Sequence, residues 1–289
     1  MLIKLEIILI GGFNMALLPG VYKAKKKDSS IYYRASITYK NKHVSLGSFS
    51  DESDANQAYL DAKSILESSR YTIENFQQYG FVLNYSKCIS LINFRDNNIY
   101  CKNPIYLFKN YFTYYLSENI HLIFDVYDLF YYANHKIMKR GNHLFVHDYG
   151  IQTNILSRYG IRNYAVPGRD YIFINGNNYD FRYSNIKIIN KYYGVFSFTK
   201  NNKTRYLVKI HINGDLIVGI YSSEIEAAVA YNKAGDLLKK QGIKKEFFQN
   251  YIWELNSSEY LSIYEKVSIR KNISHYSDKI CTTKLAEKK

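Results

Sequence analysis

The sequence predicts an α+β fold in which two copies of one small module flank a core of a different kind. Three observations carry this. Ala55, Ala58, Tyr59, Ala62, Ile65 and Leu66 recur as Ala227, Ala230, Tyr231, Ala234, Leu237 and Leu238, each 172 positions later (Ala55 to Ala227). Each set follows i, i+3, i+4, i+7, i+10, i+11, which is one face of an α-helix. Each helix is preceded by three short runs rich in aromatic and β-branched residues, the composition of strands. No such pattern occurs between the copies, and a core face written twice means a module written twice.

The elements follow in order. The first copy begins at Gly20-Val21-Tyr22 and continues through Tyr32–Tyr39 and Val44–Phe49. The second begins at Gly194-Val195-Phe196 and continues through Tyr206–Ile212 and Ile217–Tyr221. Asn41-Lys42 and Asn213-Gly214 fall between the second and third strands, where residues tolerant of positive φ close a hairpin. Ser223 with Glu226 predicts a capping box at the second helix, and Asp51 with Asp54 a weaker counterpart at the first. Each copy is then a three-stranded antiparallel sheet against one amphipathic helix.

Gly-Val, a strand carrying Ala35-Ser36-Ile37, then Leu46-Gly47-Ser48-Phe49, then Ala55-Asn56-Gln57-Ala58-Tyr59-Leu60-Asp61-Ala62, resembles the AP2/ERF-type DNA-binding domain. The second copy is similar through Gly194-Val195, Val208-Lys209-Ile210, Val218-Gly219-Ile220-Tyr221 and Ala227–Ala234. Each match covers roughly fifty residues. The resemblance implies that the open face of the sheet lies in the DNA major groove. The family places several Arg and Trp on that face, whereas the first copy has one central Arg and no Trp, so its base-reading rules are its own.

Strand alternation sorts the side chains. With Ala35, Ile37, Val44 and Leu46 facing the helix, Arg34, Ser36, Thr38, Lys40, His43 and Ser45 are expected on the open face, joined by Tyr22 and the basic run Lys23, Lys25, Lys26 and Lys27. In the second copy Lys200, Lys203, Arg205, Lys209 and His211 are expected outward, beside the apolar Phe196, Phe198 and Leu207. That copy is expected either to bind DNA differently or to hold a partner, for which self-association without DNA would be the sign.

Charge agrees with a polyanionic partner. Of 289 residues, 39 are Lys or Arg and 25 acidic, a net charge of +14, the footprint of a nucleic-acid-binding chain. The 31 Tyr and 16 Phe against one Trp, with abundant Asn, Ile and Lys, follow AT-rich codons as well as function, and suggest a low-GC bacterium, its phage or its mobile elements. Cys88, Cys101 and Cys281 are far apart, form no CxxC pair and suggest a reducing cytoplasm. Leu2–Ile10 is too short to span a membrane and lacks a cleavage site. Gly11-Gly12-Phe13-Asn14-Met15 can be encoded by a bacterial ribosome-binding site followed by ATG, so translation is expected to begin at Met15.

Between the copies, Phe124–Leu129, then Gly141 with Phe145-Val146-His147, then Ile174-Asn175-Gly176-Asn177-Asn178-Tyr179-Asp180-Phe181-Arg182-Tyr183-Ser184-Asn185-Ile186 is similar to the HNH domain of HNH–AP2 homing-endonuclease-like proteins. There too the nuclease portion directly precedes an AP2 module. The resemblance implies a ββα-type core. The family pattern Asp-His-Ile-Asn-Gly-Asn reads Ile172-Phe173-Ile174-Asn175-Gly176-Asn177 here. Phe173 stands where the general-base His is expected and Ile172 where a metal-binding Asp is expected. A Phe accepts no proton and an Ile ligates no cation. His147 and Asn185 do match. Asp170 or His143 would have to replace the base for cleavage, and Asp180 with Arg182 reads as a structural pair. Arg182 and Lys187 are candidates for phosphate contacts.

The expected organisation is an extension over 1–18, an AP2-like module over 19–69, an aromatic-rich linker over 70–120 with 104–120 helical, a degenerate HNH-like domain over 121–190, a second AP2-like module over 191–253, and a helix (Glu259–Lys271) with a basic tail over 254–289. No Gly-rich phosphate loop, Ser/His/Asp arrangement or zinc spacing is present, so no catalytic residue, metal or cofactor is expected. The expected function is sequence-specific binding of double-stranded DNA in transcriptional control, in the cytoplasm and on the nucleoid, with oligomeric state open. The rival is a metal-dependent HNH endonuclease using His147 and Asn185 with a displaced base.

Overall fold

The computed structural model describes residues 17–276. The expected start at Met15, Cys281 and the basic tail lie outside the described residues. Those described form an α+β protein in two compact units. Among the described residues the first holds 17–139 with Val146–Gly150 and Tyr179–Arg182; the second holds Arg140–Phe145, Ile151–Asn178 and 183–276.

In the first unit β1 (Val21–Lys25), β2 (Ile31–Tyr39) and β3 (Lys42–Phe49) form an antiparallel sheet in that order, followed by α1 (Glu52–Glu67). The β2–β3 hairpin closes one residue earlier than expected, through Lys40 and Asn41, whose φ values of 44° and 61° are both left-handed, as a two-residue turn matching strand twist requires. Asp51 caps α1 by accepting from the Ser53 amide at 2.7 Å. Ala55, Ala58, Ala62, Ile65 and Leu66 are buried against Val21, Ala35, Val44 and Leu46. Three alanines on the contact face let the helix sit close, while Ile65 and Leu66 each contribute about 1.5–3 kcal/mol of burial.

The rest of the first unit departs from expectation. A helix, α2 (Tyr85–Asn97), occupies the stretch without a readable motif, and Cys88 through Phe94 are buried without interruption. Buried on all sides, it has no apolar stripe to betray it. Residues 104–120, expected to be helical, are instead β4 (Ile105–Leu107) and β5 (Tyr111–Ser117), which with β6 (Ile120–Asp125) make a second antiparallel sheet. Phe112 opposes Phe124 and Thr113 opposes Ile123, pairs that stabilise strands rather than helices. A short helix, α3 (Leu129–Asn134), follows. The chain then runs through β7 (Ile137–Arg140), β8 (His143–Asp148) and β9 (Ile151–Asn154).

In the second unit β10 (Tyr171–Phe173) and β11 (Ile186–Ile188) pair antiparallel, and the chain then enters β12 (Val195–Lys200) with no helix between. The expected ββα is a ββ hairpin: only seven residues, 188–194, separate Lys187 from the next strand. β12, β13 (Lys203–His211) and β14 (Asp215–Tyr221) form the second module's sheet, backed by α4 (Glu224–Lys240). The capping box expected from Ser223 and Glu226 is not made. Ser223 makes no side-chain cap bond, and Ser222 Oγ donates to the Glu226 carboxylate at 3.3 Å instead. The helix expected after the second module, α5 (Ser257–Lys266), is shorter than expected and is capped by Asn256 and Glu259. Its predicted face of Tyr260, Ile263, Tyr264 and Val267 packs on the second module's core. A final turn, α6 (Lys271–Ser274), buries Ile273, and the Arg270 amide donates to Val218 O at 2.9 Å.

The two modules agree in details that no residue pattern displays. Each carries a bulge at one place: Ala35 opposes Gly47 but Ser36 opposes Ser45, and Val208 opposes Gly219 but Lys209 opposes Ile217. At the bulge, the Ser36 amide donates to Gly20 O at 3.1 Å and the Lys209 amide to Gly194 O at 2.8 Å. Gly20 and Gly194 have φ of 75° and 68°. A Cβ on either would lie 2.2–2.3 Å from the ring of Tyr59 or Tyr231.

Candidate nucleic-acid interface

Directly opposed residues of antiparallel strands share a face. Arg34 opposes Tyr22 and Ser48, Ser36 opposes Ser45, and Thr38 opposes His43. These seven share the face turned away from α1. Arg34 is held in place: its Nε and Nη2 donate to the Tyr32 hydroxyl at 3.1 and 2.6 Å, and its guanidinium lies 5.3 Å from the ring centroid. Two χ-rich bonds of a long side chain are thereby restrained before any ligand arrives. Tyr22, Arg34, Thr38, His43, Ser45 and Ser48 are exposed.

Five expected members of this face are corrected, Lys23 and Lys25 by the register and the other three by their surroundings. Lys23 opposes Tyr33 and Lys25 opposes Ile31, so both leave the sheet on the side of Val21 and Ala35. The run of lysines alternates like any strand, and only every second one can face a groove. Ser36 has the right direction but is 8% exposed, because the bulge tucks it beneath its neighbours. Lys40 is engaged at the end of α2, where its ammonium donates to Asn98 Oδ1 and to Arg95 O. Lys26 begins the β1–β2 turn, donating its amide to Ser30 O at 2.9 Å. Ser48 was missed because strict alternation from Val44 and Leu46 turns it inward, and the bulge at Gly47 reverses the parity.

The second module presents another surface. Phe196 opposes Leu207, which opposes Ile220; Phe198 opposes Arg205; and Lys209 opposes Ile217. Ile220 is turned outward by the same bulge and is 52% exposed. The apolar centre has cations at its margins. Arg169 and Lys209 approach the Phe196 ring at 5.3 and 5.9 Å, and Lys200 opposes Lys203 beyond it. An acid also lies on this face: Asp215 accepts from His211 Nδ1 at 3.0 Å and lies 3.8 Å from Lys209 Nζ. Part of the positive charge expected from Lys209 is therefore neutralised.

The HNH-like segment uses its polar groups to hold itself together. Asn185 is 5% exposed; its Oδ1 accepts from the Asn175 amide at 2.8 Å and its Nδ2 donates to Asn177 O at 3.5 Å, closing the 174–177 turn. Asp180 accepts both arms of Arg182, at 2.9 and 2.6 Å. Asp170 is 1% exposed and accepts from Arg162, Arg169 and the Val166 amide. Burial alone would raise its pKa, but the bonds from Arg169 and Val166 and the two guanidinium charges outweigh it and hold the carboxylate below its ordinary value. Both carboxylate oxygens are therefore taken up by structural donors, and the lowered pKa makes Asp170 a weaker base. Phe173 lies in β10 opposite Ile186. His147 belongs to the first unit and Asn185 to the second. Among the described residues no three His, Cys, Asp or Glu side chains group as a metal site, and no helix is long and apolar enough to cross a membrane.

No family model, curated protein or solved structure matches this chain.

Proposed function

We propose that this chain is a sequence-specific double-stranded DNA-binding protein, acting in transcriptional control, that reads the major groove with the open sheet face of its first module. The observation carrying this reading is Arg34. It stands exposed at the middle of a polar strand face, pre-positioned by Tyr32, on a sheet stiffened from behind by α1. A guanidinium held in that manner suits bidentate recognition of guanine O6 and N7. Thr38, His43, Ser45 and Ser48 supply short donors and acceptors beside it. The resemblance of both modules to the AP2/ERF type and the net charge of +14 support the same partner. Phosphate contacts would set register, and base contacts would set sequence.

The second module, with an apolar centre and Asp215 among its cations, contributes affinity or holds a second protein surface rather than repeating the first reading. The experiment is selection from a random duplex library in Mg²⁺, with sequencing of the bound DNA and its ends. An enriched intact motif supports the proposal. Breaks at a fixed offset would mean that the HNH-like segment cuts DNA.

A further inference from the structure

Beside the proposed base-reading face lies a cleft of about 620 Å³. Its lining includes Lys42, His43 and Ser45 of β3, Asn84 and Lys87 at the start of α2, and Lys102 just before β4. No Asp or Glu lines it. Among the described residues no carboxylate stands within ion-pair distance of Lys42, Lys87 or Lys102. Lys87 is partly fixed: its ammonium donates to the Tyr100 hydroxyl at 3.0 Å and lies 5.6 Å from that ring's centroid. The thirteen-residue helix α2 points its N-terminus here, capped by Asn84 through the Lys87 amide, and adds partial positive charge.

We infer that this cleft is a phosphate-binding site that grips the DNA backbone next to the bases read by the first module. It rests on the DNA-binding reading and deepens it. β3 is the edge strand of that sheet. His43 and Ser45 belong both to the open face and to the cleft, so a duplex lying on the face runs its backbone over the cleft mouth. The site needs Lys87 and Lys102, which come from outside the sheet-and-helix module. A bare module of this kind would lack it. The chemistry recognised is a phosphoryl oxygen in a diester, held by ammonium groups as point charges.

The test compares wild type, Lys102→Gln and the Lys87→Gln, Lys102→Gln double variant on the selected DNA, over a range of salt. Each lost phosphate contact lowers the slope of log affinity against log salt by about 0.9, so the double variant should lose roughly 1.8 with its preferred sequence unchanged. Lys102 is exposed, so its single variant should fold normally and lose about half as much, guarding against a folding defect at Lys87. In parallel, inorganic pyrophosphate is titrated into DNA-free protein. An unchanged slope in both variants, with no pyrophosphate binding, overturns the site while leaving the DNA-binding reading intact. Micromolar pyrophosphate binding lost in the double variant, with an unchanged DNA slope, assigns the cleft to a free anion and overturns the backbone role. Absence of any DNA binding by wild type overturns both.

Discussion

The hydroxyl of Tyr32 accepts from both Nε and Nη2 of Arg34, at 3.1 and 2.6 Å, so the one arginine at the centre of the first module's open face is ordered by a neighbour on the same strand. Arg34→Ala should reduce affinity for the selected site by about 1–3 kcal/mol and relax preference at one position. Tyr32→Phe removes only the restraint. It should weaken binding by about 0.5–1.5 kcal/mol, the net worth of a hydrogen bond, and keep the preferred sequence. Binding isotherms on matched and single-mismatch duplexes measure both.

Gly20 and Gly194 are predicted to be among the most sensitive positions for stability. Their left-handed φ alone costs a non-glycine residue about 1–3 kcal/mol. A Cβ at Gly194 would also meet Lys209 O at 2.3 Å, and one at Gly20 the Tyr59 ring at 2.2 Å. Gly80, with φ of 61°, has open space around it. Thermal unfolding should show Gly20→Ala and Gly194→Ala losing clearly more than Gly80→Ala. Equal losses would mean that the glycine–tyrosine contact does not matter.

Asp170 ties Arg162 and Arg169 to the Val166 amide, and its pKa is held below the ordinary carboxylate value. A lowered folded pKa contributes stability that is complete above the unfolded value, about 3.9, and is lost as pH falls through the folded one. Acid should therefore weaken the second unit below about pH 4. In Asp170→Asn that acid dependence should shrink, while stability at pH 7 drops by about 3–5 kcal/mol because buried Arg162 loses its counter-charge. Urea unfolding at pH 7 and pH 3 tests the difference.

The buried thiols of Cys88 and Cys101 are pushed up by burial to about 12 and about 11. Thiolate is the nucleophile, so alkylation at pH 8 should leave both unmodified in the native chain and modify both in urea. Mass mapping of the labelled peptides reads this directly.

Much of the fold was legible because α1 buries one stripe against one sheet, the case that periodicity detects, and α4 repeats that stripe although Ala227 through Asn232 are buried without a break. Helix α2 was not, because seven consecutive residues from Cys88 to Phe94 are buried and no polar face remains to mark the period. The aromatic run of 104–120 was read as helix although Phe112–Phe124 and Thr113–Ile123 pairing makes it sheet. At the candidate site, alternation placed Arg34, Thr38, His43 and Ser45 on one face. It misplaced Lys23 and Lys25 by treating a charged run as a patch, and it missed Ser48 and Ile220 because a β-bulge, which reverses parity, leaves only a Gly47 or Gly219 in the sequence. Lys40 and Asp215 depend on contacts, to Asn98 and to His211, that no local pattern encodes.

The most direct test of the account is selection of random duplex DNA by wild type and by Arg34→Ala side by side. The account predicts that wild type enriches a defined, uncut motif containing a guanine whose preference collapses in the variant. A variant that enriches the same motif with the same preference at every position, or a wild type that enriches none, would contradict base reading by the first module.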